Sequence, residues 1–145
     1  MNPPALNNLV RLLMRPAWRR DRTRKWELVT LLLTDHVGMR GFHADWMDDP
    51  ETTDVLSRAF DPHPGRGDIA ELIVNAEMAL DLGPRFHGVA HELAFYIAHG
   101  IDHLGGSDDA TPRERRQMHR RELRWLERAH QLGLLETVLA PGDPA

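Results

Sequence analysis

The residues richest in chemistry lie in one short run, His99-Gly-Ile-Asp-His103-Leu-Gly-Gly106-Ser-Asp-Asp109. On a helix, positions four apart are separated by only about 40° around the axis, so both imidazoles can reach a single ion. Gly105 and Gly106 then let the chain reverse, which brings Asp108 or Asp109 back to the same point in space. Spacing alone does not rank two adjacent carboxylates. Two imidazoles and a carboxylate leave a fourth position for water, the arrangement of a catalytic zinc rather than a structural one. Water on such an ion ionises near neutral pH and can attack an ester or amide.

Nine histidines in 145 residues make pairs at this spacing common. His87 and His91 form another, but no turn and carboxylate follow them, and they read as a solvent-facing helix start. The His99 spacing also echoes zinc proteases of the His-Glu-x-x-His kind. Gly100 stands where those enzymes carry their general base, which argues against a peptidase. Asp102, one helical turn after His99, is either a solvated helix residue or a carboxylate that accepts the second N–H of a ligand histidine.

The elements that must position this run follow from periodicity and punctuation. Leu6, Leu9, Val10, Leu13 and Met14 recur at helical spacing, predicting an amphipathic helix from Pro4 toward Arg15, interrupted at Pro16. Trp26 to Leu33 reads as a buried strand. Asp35 is placed to cap a short helix ending near Trp46, although Gly38 and Gly41 disfavour it, and Asp45 to Glu51 reads as an exposed acidic loop. Thr52 to Phe60 and Ile69 to Asn75 are the next strands, joined by the turn-rich Asp61–Asp68. Ala76 to Leu82 is a turn or short helix before the Gly83-Pro84 break. A long helix from Arg85 to Leu104 carries both histidines and ends at Gly105-Gly106. Thr111 caps a last helix with Pro112 at its first position and a basic face from Arg113 to Arg128. The tail 141–145 should fray. The expected class is α+β: one domain over 1–145, a mixed sheet of about 3–4 strands and about 5 helices, with the metal site on the central helix and following turn.

Bulk properties narrow the setting. With 41% apolar and 28% charged residues, the chain is an ordinary globular domain. It has no cysteine, which removes disulfides and thiolate ligands and fits a reducing cytosol. The run Leu28–Leu33 is far too short to cross a bilayer, and the N-terminus lacks a compact apolar segment before a cleavage site, so a cytoplasmic location and no membrane are expected. The net charge of -4 hides an asymmetry. Residues 1–25 carry Arg11, Arg15, Arg19, Arg20, Arg22, Arg24 and Lys25 against Asp21 alone. This basic arm, helical over 4–25, is either a solvated face or a contact for phosphate backbone.

Together these segments resemble the YbeY family of bacterial metal-dependent endoribonucleases and rRNA maturation factors. The family hallmark is His-Gly-x-Leu-His-Leu-x-Gly-Tyr-Asp-His, matched at His99, Gly100, His103, Leu104, Gly106 and Asp108. Thr53-Asp-Val-Leu-Ser57 resembles the family's Thr-(Asp/Asn)-Val-Leu-Ser strand. Gly67-Asp-Ile69, Ile73-Val-Asn75, Glu77-Met-Ala79 and Glu92-Leu-Ala94 follow in order, so the likeness runs from about Leu28 to Leu126. There are departures: Asp109 replaces the third histidine, Asp102 an apolar residue, Ser107 a tyrosine and Arg58 an aromatic. The family's active-site arginine falls at Met47.

The resemblance implies a metal on His99, His103 and Asp109, with Asp108 as rival ligand and Asp102 behind the site. Zinc is the expected ion, one per chain; two histidines with a carboxylate also suit iron or manganese. It implies single-strand RNA cleavage in ribosome maturation, with His99 in the catalytic set and Arg58 or Arg40 standing in for the missing arginine. Thr53 and Ser57 would wall the substrate groove. The implied partners are rRNA or a ribosomal subunit, and ribosomal proteins. The alternatives are a ribosome-associated binding factor with a structural metal, and a metal-dependent hydrolase of another substrate.

Overall fold

The computed structural model describes residues 2–20 (backbone alone for 17–20) and 23–139. Within them, the runs rich in Leu, Ile and Val form one three-stranded sheet: β1 (Trp26–Thr34), β2 (Val55–Phe60) and β3 (Asp68–Asn75). The order is β1-β3-β2, with β1 parallel and β2 antiparallel to β3. The helices are α1 (Pro3–Arg20), α2 (His36–Met47), α3 (Ala76–Leu82), α4 (Val89–Leu104) and α5 (Pro112–Gln131). The α+β class, the mixed sheet and the helix number are as expected.

Side chains alternate across a strand, so β3 serves two layers. Ala70, Leu72 and Val74 join the main core with Leu93, Ile97 and Ile101 of α4 and Leu9 and Leu13 of α1. Ile73, on the opposite face, packs with Leu56 of β2 and with Met39, Phe42 and Trp46 of α2. The sheet therefore separates α2 from α4. Each large apolar side chain so buried contributes about 1.5–3 kcal/mol.

Several boundaries depart from the sequence pattern. β1 is an edge strand, with Leu28 54% and Leu32 45% exposed. A run apolar on both faces reads as a central strand, but in this sheet only β3 has neighbours on both sides. A cleft of about 760 Å³ lies between β1 and the Leu6, Val10 and Met14 face of α1. α1 itself continues through Pro16 to Arg20. Burial of Leu9, Leu13 and Met14 outweighs the one lost backbone bond, and Pro16 lines a small cavity with Trp125 and Arg128 of α5. α2 ends at Met47, one residue past its expected end near Trp46, and so takes Asp45, Trp46 and Met47 from the expected loop; Asp35 holds its start, its side chain accepting from the Gly38 N–H at 2.8 Å. β2 starts at Val55, not Thr52, and α4 at Val89, because Gly83–Arg85 form a separate 3-10 turn. His87 is thus exposed ahead of α4, and His91 is half-buried in its first turn rather than solvent-facing. Of the basic arm, Arg24 pairs with Asp68 at 3.1 Å, whereas Arg22 and the tail 141–145 lie outside the described residues.

Candidate metal centre

α4 is the central helix, and its length of 16 residues puts His99 and His103 on its last turns, both only partly buried. It stops where three bonds close around the glycines: Gly105 N–H to Ile101 O, Gly106 N–H to His103 O and Ser107 N–H to Asp102 O, at 3.0, 3.0 and 3.2 Å. This closure requires a left-handed residue, supplied by Gly106 at φ 92°. The chain then doubles back over the last turn of α4. Thr111 opens α5, accepting from the Glu114 N–H at 3.1 Å.

The reversal brings three ligand atoms together. His99 Nε2 and His103 Nε2 are 3.2 Å apart, and Asp109 Oδ2 lies 3.6 Å from the first and 3.7 Å from the second. Ligands at about 2.0–2.2 Å from a tetrahedral ion stand about 3.3–3.6 Å from one another, so this triangle has the right size for one. The chemistry of the donors agrees. His99 Nδ1 donates to Glu122 Oε1 at 2.9 Å and His103 Nδ1 donates to the Ser107 carbonyl at 3.1 Å. With both Nδ1 atoms protonated, two Nε2 lone pairs and a carboxylate oxygen converge with no donor among them, an arrangement that calls for a cation. His99, His103 and Asp109 are the group that could hold a metal ion among the described residues. Asp108 is exposed and turned away, its Oδ1 accepting from the Asp109 N–H at 2.8 Å.

Behind the ligands lies a buried polar chain. Glu122 and Asp102 are both 0% exposed, so Asp102 is not the solvated residue that helix position suggests. Nor does it take a ligand N–H; that carboxylate is Glu122. Asp102 instead receives Arg121 Nε at 3.1 Å, Arg121 Nη2 at 3.1 Å and Ser107 Oγ at 2.7 Å. Burial pushes the Glu122 carboxyl up to about 7, against the pull of His99 and with the help of Asp102. Burial would raise Asp102 too, but hydrogen bonds from Glu122, Arg121 and Ser107 hold it below the ordinary carboxylate value. For His99, burial favours the neutral ring, yet Glu122, Asp54 and Asp109 together raise its pKa.

Glu122 and Arg121 escape a motif-based reading, whereas Asp54 lies inside the Thr53–Ser57 run but carries no expected role. The signal for Glu122 is its position: it interrupts the buried α5 stripe Met118, Leu126, Ala129 with a carboxylate. Ser57 faces α4, its Cβ 3.9 Å from where a Cβ on Gly100 would lie, and Thr53 stands just ahead of the same strand, its carbonyl accepting from Asn75. Arg58, one residue on, faces the other way. Its guanidinium lies 4.0 Å from the Trp46 ring and 4.6 Å from Phe60, and bonds Glu71 at 3.2 Å. Arg40 is exposed on α2, on that same side of the sheet, and Met47 is 65% exposed at the end of α2. Closer to the ligands are basic groups of α5: Arg115 donates to the Asp109 carbonyl at 3.2 Å, and His119 stands edge-on to Phe95, which stacks toward His99.

A family model described as Endoribonuclease YbeY matches residues 2–130, from the start of α1 almost to the end of α5. This chain belongs to the YbeY family. A protein of Kineococcus radiotolerans named Endoribonuclease YbeY is 35% identical over 125 residues, covering 80% of this chain and 69% of that protein. Namesakes from Rhodococcus erythropolis and Mycobacterium tuberculosis are each 34% identical, over 101 and 110 residues; these cover 62% and 68% of this chain and 56% and 62% of theirs. The matches to these YbeY proteins thus span between 56% and 69% of their lengths. In this YbeY chain, His99, Gly100 and His103 of the family hallmark sit on α4 and Asp109 on the loop after it.

Proposed function

We propose that this chain is a metal-dependent endoribonuclease that cuts single-stranded RNA during rRNA maturation, acting in the cytoplasm on rRNA or a ribosomal subunit. The observation that carries the metal part is the convergence of His99 Nε2, His103 Nε2 and Asp109 Oδ2 within 3.2–3.7 Å. Its family membership supports the nuclease part. Zinc fits best, since an N, N, O donor set with room for a fourth group is a zinc arrangement. When bound, the ion supplies Lewis acidity toward a phosphate oxygen and lowers the pKa of water.

The chain's own residues account for the rest. Glu122 and the Ser107 carbonyl keep both Nε2 lone pairs turned toward the ion. Arg115, Arg116, His119 and Arg120 line a shallow depression on α5 beside the ligand loop, and there they hold the RNA backbone by charge. Thr53 and Ser57 wall the opposite side. A peptide substrate is disfavoured because position 100 points into the sheet, where no general base fits.

A second reading is a ribosome-associated binding factor with a structural metal and no turnover. It is favoured by Met47 at the family arginine position and by Arg58 being tied to Glu71 across the sheet. One experiment separates the two: elemental analysis and cleavage of a single-stranded rRNA fragment by wild type and His99→Ala. Zinc near one per chain with cleavage, both lost in the variant, is expected. Zinc without cleavage leaves the binding factor, and folded wild type without metal overturns both.

A further inference from the structure

Asp102 and Ser107 both depart from the family hallmark, and the two meet in space. Ser107 Oγ donates to Asp102 at 2.7 Å, and Arg121 spans the pair, its Nη2 donating to Ser107 Oγ at 2.8 Å and to Asp102 Oδ2 at 3.1 Å. The third departure, Asp109, lies on the loop that Ser107 anchors. We propose that Asp102, Ser107 and Arg121 form a clamp that positions the metal ligands: it sets the turn carrying Asp109 and the carbonyl that orients His103. This rests on the reading of His99, His103 and Asp109 as a metal site.

The argument is geometric. Asp109 stands on a loop, its side chain 40% exposed, reached through two glycines that impose little order. Ser107 is the point where that loop returns to the interior, and its polar groups diverge. The hydroxyl goes inward to Asp102, and the carbonyl goes to His103 Nδ1 at 3.1 Å. A rotation of Ser107 that broke the first bond would also swing the second, leaving His103 free to change tautomer and orientation. Arg121 makes the arrangement rigid, because its planar fork takes Asp102 through two nitrogens and Ser107 through one of them. The next residue on α5, Glu122, holds His99. Two successive residues of α5 therefore brace the site, one on the loop side and one on the helix side. Arg121, Asp102 and Ser107 act through the ligands and are positioning residues.

A purely structural clamp and a positioning clamp respond differently to replacement. Exchanging a buried ion pair for apolar residues of similar size is commonly neutral or stabilising, so Asp102→Leu/Arg121→Met should keep the fold. It would nonetheless release Ser107. Zinc affinity, read by competition with a chromogenic chelator, is expected to fall about 10–100-fold in this variant with an unchanged or higher melting temperature. Ser107→Ala, which removes only the hydroxyl, should shift affinity in the same direction and guards against failure of the double variant to fold. Affinity within about threefold of wild type in either folded variant would overturn the clamp, being well short of the loss expected on removing an outer-shell partner. Wild type that binds no zinc would instead overturn the metal reading on which the clamp depends.

Discussion

Gly100 lies where α4 presses closest to the sheet, which makes it a sensitive place to perturb the support of His99. A Cβ there would stand 2.8 Å from Val55 Cγ2 and 3.0 Å from Leu72 Cδ2. Comfortable carbon contacts are about 3.5–4.0 Å, so the overlap is about 0.5–1 Å on two sides. Neither neighbour can swing clear: Val55 is β-branched and stiff, and Leu72 is 0% exposed. Overpacking of this kind costs about 1–3 kcal/mol. Replacing a helical glycine by alanine also gains about 1 kcal/mol of helix propensity, and a control must carry that gain. Gly41, in α2, provides it, since nothing lies within 4 Å of its added Cβ. Gly41→Ala should therefore melt higher than wild type, and Gly100→Ala lower than Gly41→Ala by the overpacking cost alone. At about 2–4 °C per kcal/mol for a domain of this size, the two variants should differ by about 2–12 °C in differential scanning calorimetry. Equal melting temperatures, or a Gly100→Ala above Gly41→Ala, would refute the reasoning about close packing at this point.

Removing the carboxylate behind His99 with Glu122→Leu should weaken zinc binding about 10–100-fold in a chelator competition, with Glu122→Gln, which retains an acceptor, losing less; equal affinities would sink the role given to Glu122. Asp109→Ala should lose metal by elemental analysis while Asp108→Ala keeps it, and the reverse result would reassign the third ligand. In metal-free protein, His99 and Glu122 (the latter raised to about 7) both hold protons more tightly folded than unfolded, so their contribution is full below the ordinary values of 6.5 and 4.5 and is lost as pH rises through the folded ones. Urea unfolding of chelator-treated His91→Leu protein, in which the opposing contribution of His91 (pKa lowered by burial) is removed, should accordingly show lower stability at about pH 8 than at about pH 6, with the Asp102 contribution lost only in acid as pH falls through its lowered value. A stability that climbs over that interval contradicts the assignment.

The pairing of His99 with His103 was legible because both lie on one helix end, where spacing translates directly into geometry; spacing left Asp108 and Asp109 unranked, and only the family resemblance singled out Asp109. The caps at Asp35 and Thr111 were legible for the same reason. What escaped depends on contacts remote in sequence. Glu122 reaches His99 across 23 positions, and no local pattern announces such a partner. Asp102 looks like a solvent-facing residue until α5 covers it with Arg121. The burial of β1 failed because strand composition does not say how many neighbours a strand has. Arg58 was a reasonable substitute for the missing arginine by sequence distance, yet the alternation of β2 sends it toward Trp46, away from α4. Pro16 shows the converse: a strong local rule overridden by a docked apolar face.

The nearness of the three proposed ligands along the chain also bears on how a bound ion and the fold would influence each other. His99, His103 and Asp109 span only 11 residues, so an unfolded chain can bring them together at small entropic cost. An ion caught this way favours the very helical turn it needs, and the unfolded ensemble keeps part of its affinity. Since a ligand stabilises a fold only by its preference for the native state, zinc should raise the melting temperature by less than its native affinity implies. The difference between the two measurements would then report what α5 adds, because Glu122 meets His99, and Arg121 meets Asp102 and Ser107, only once that helix has docked.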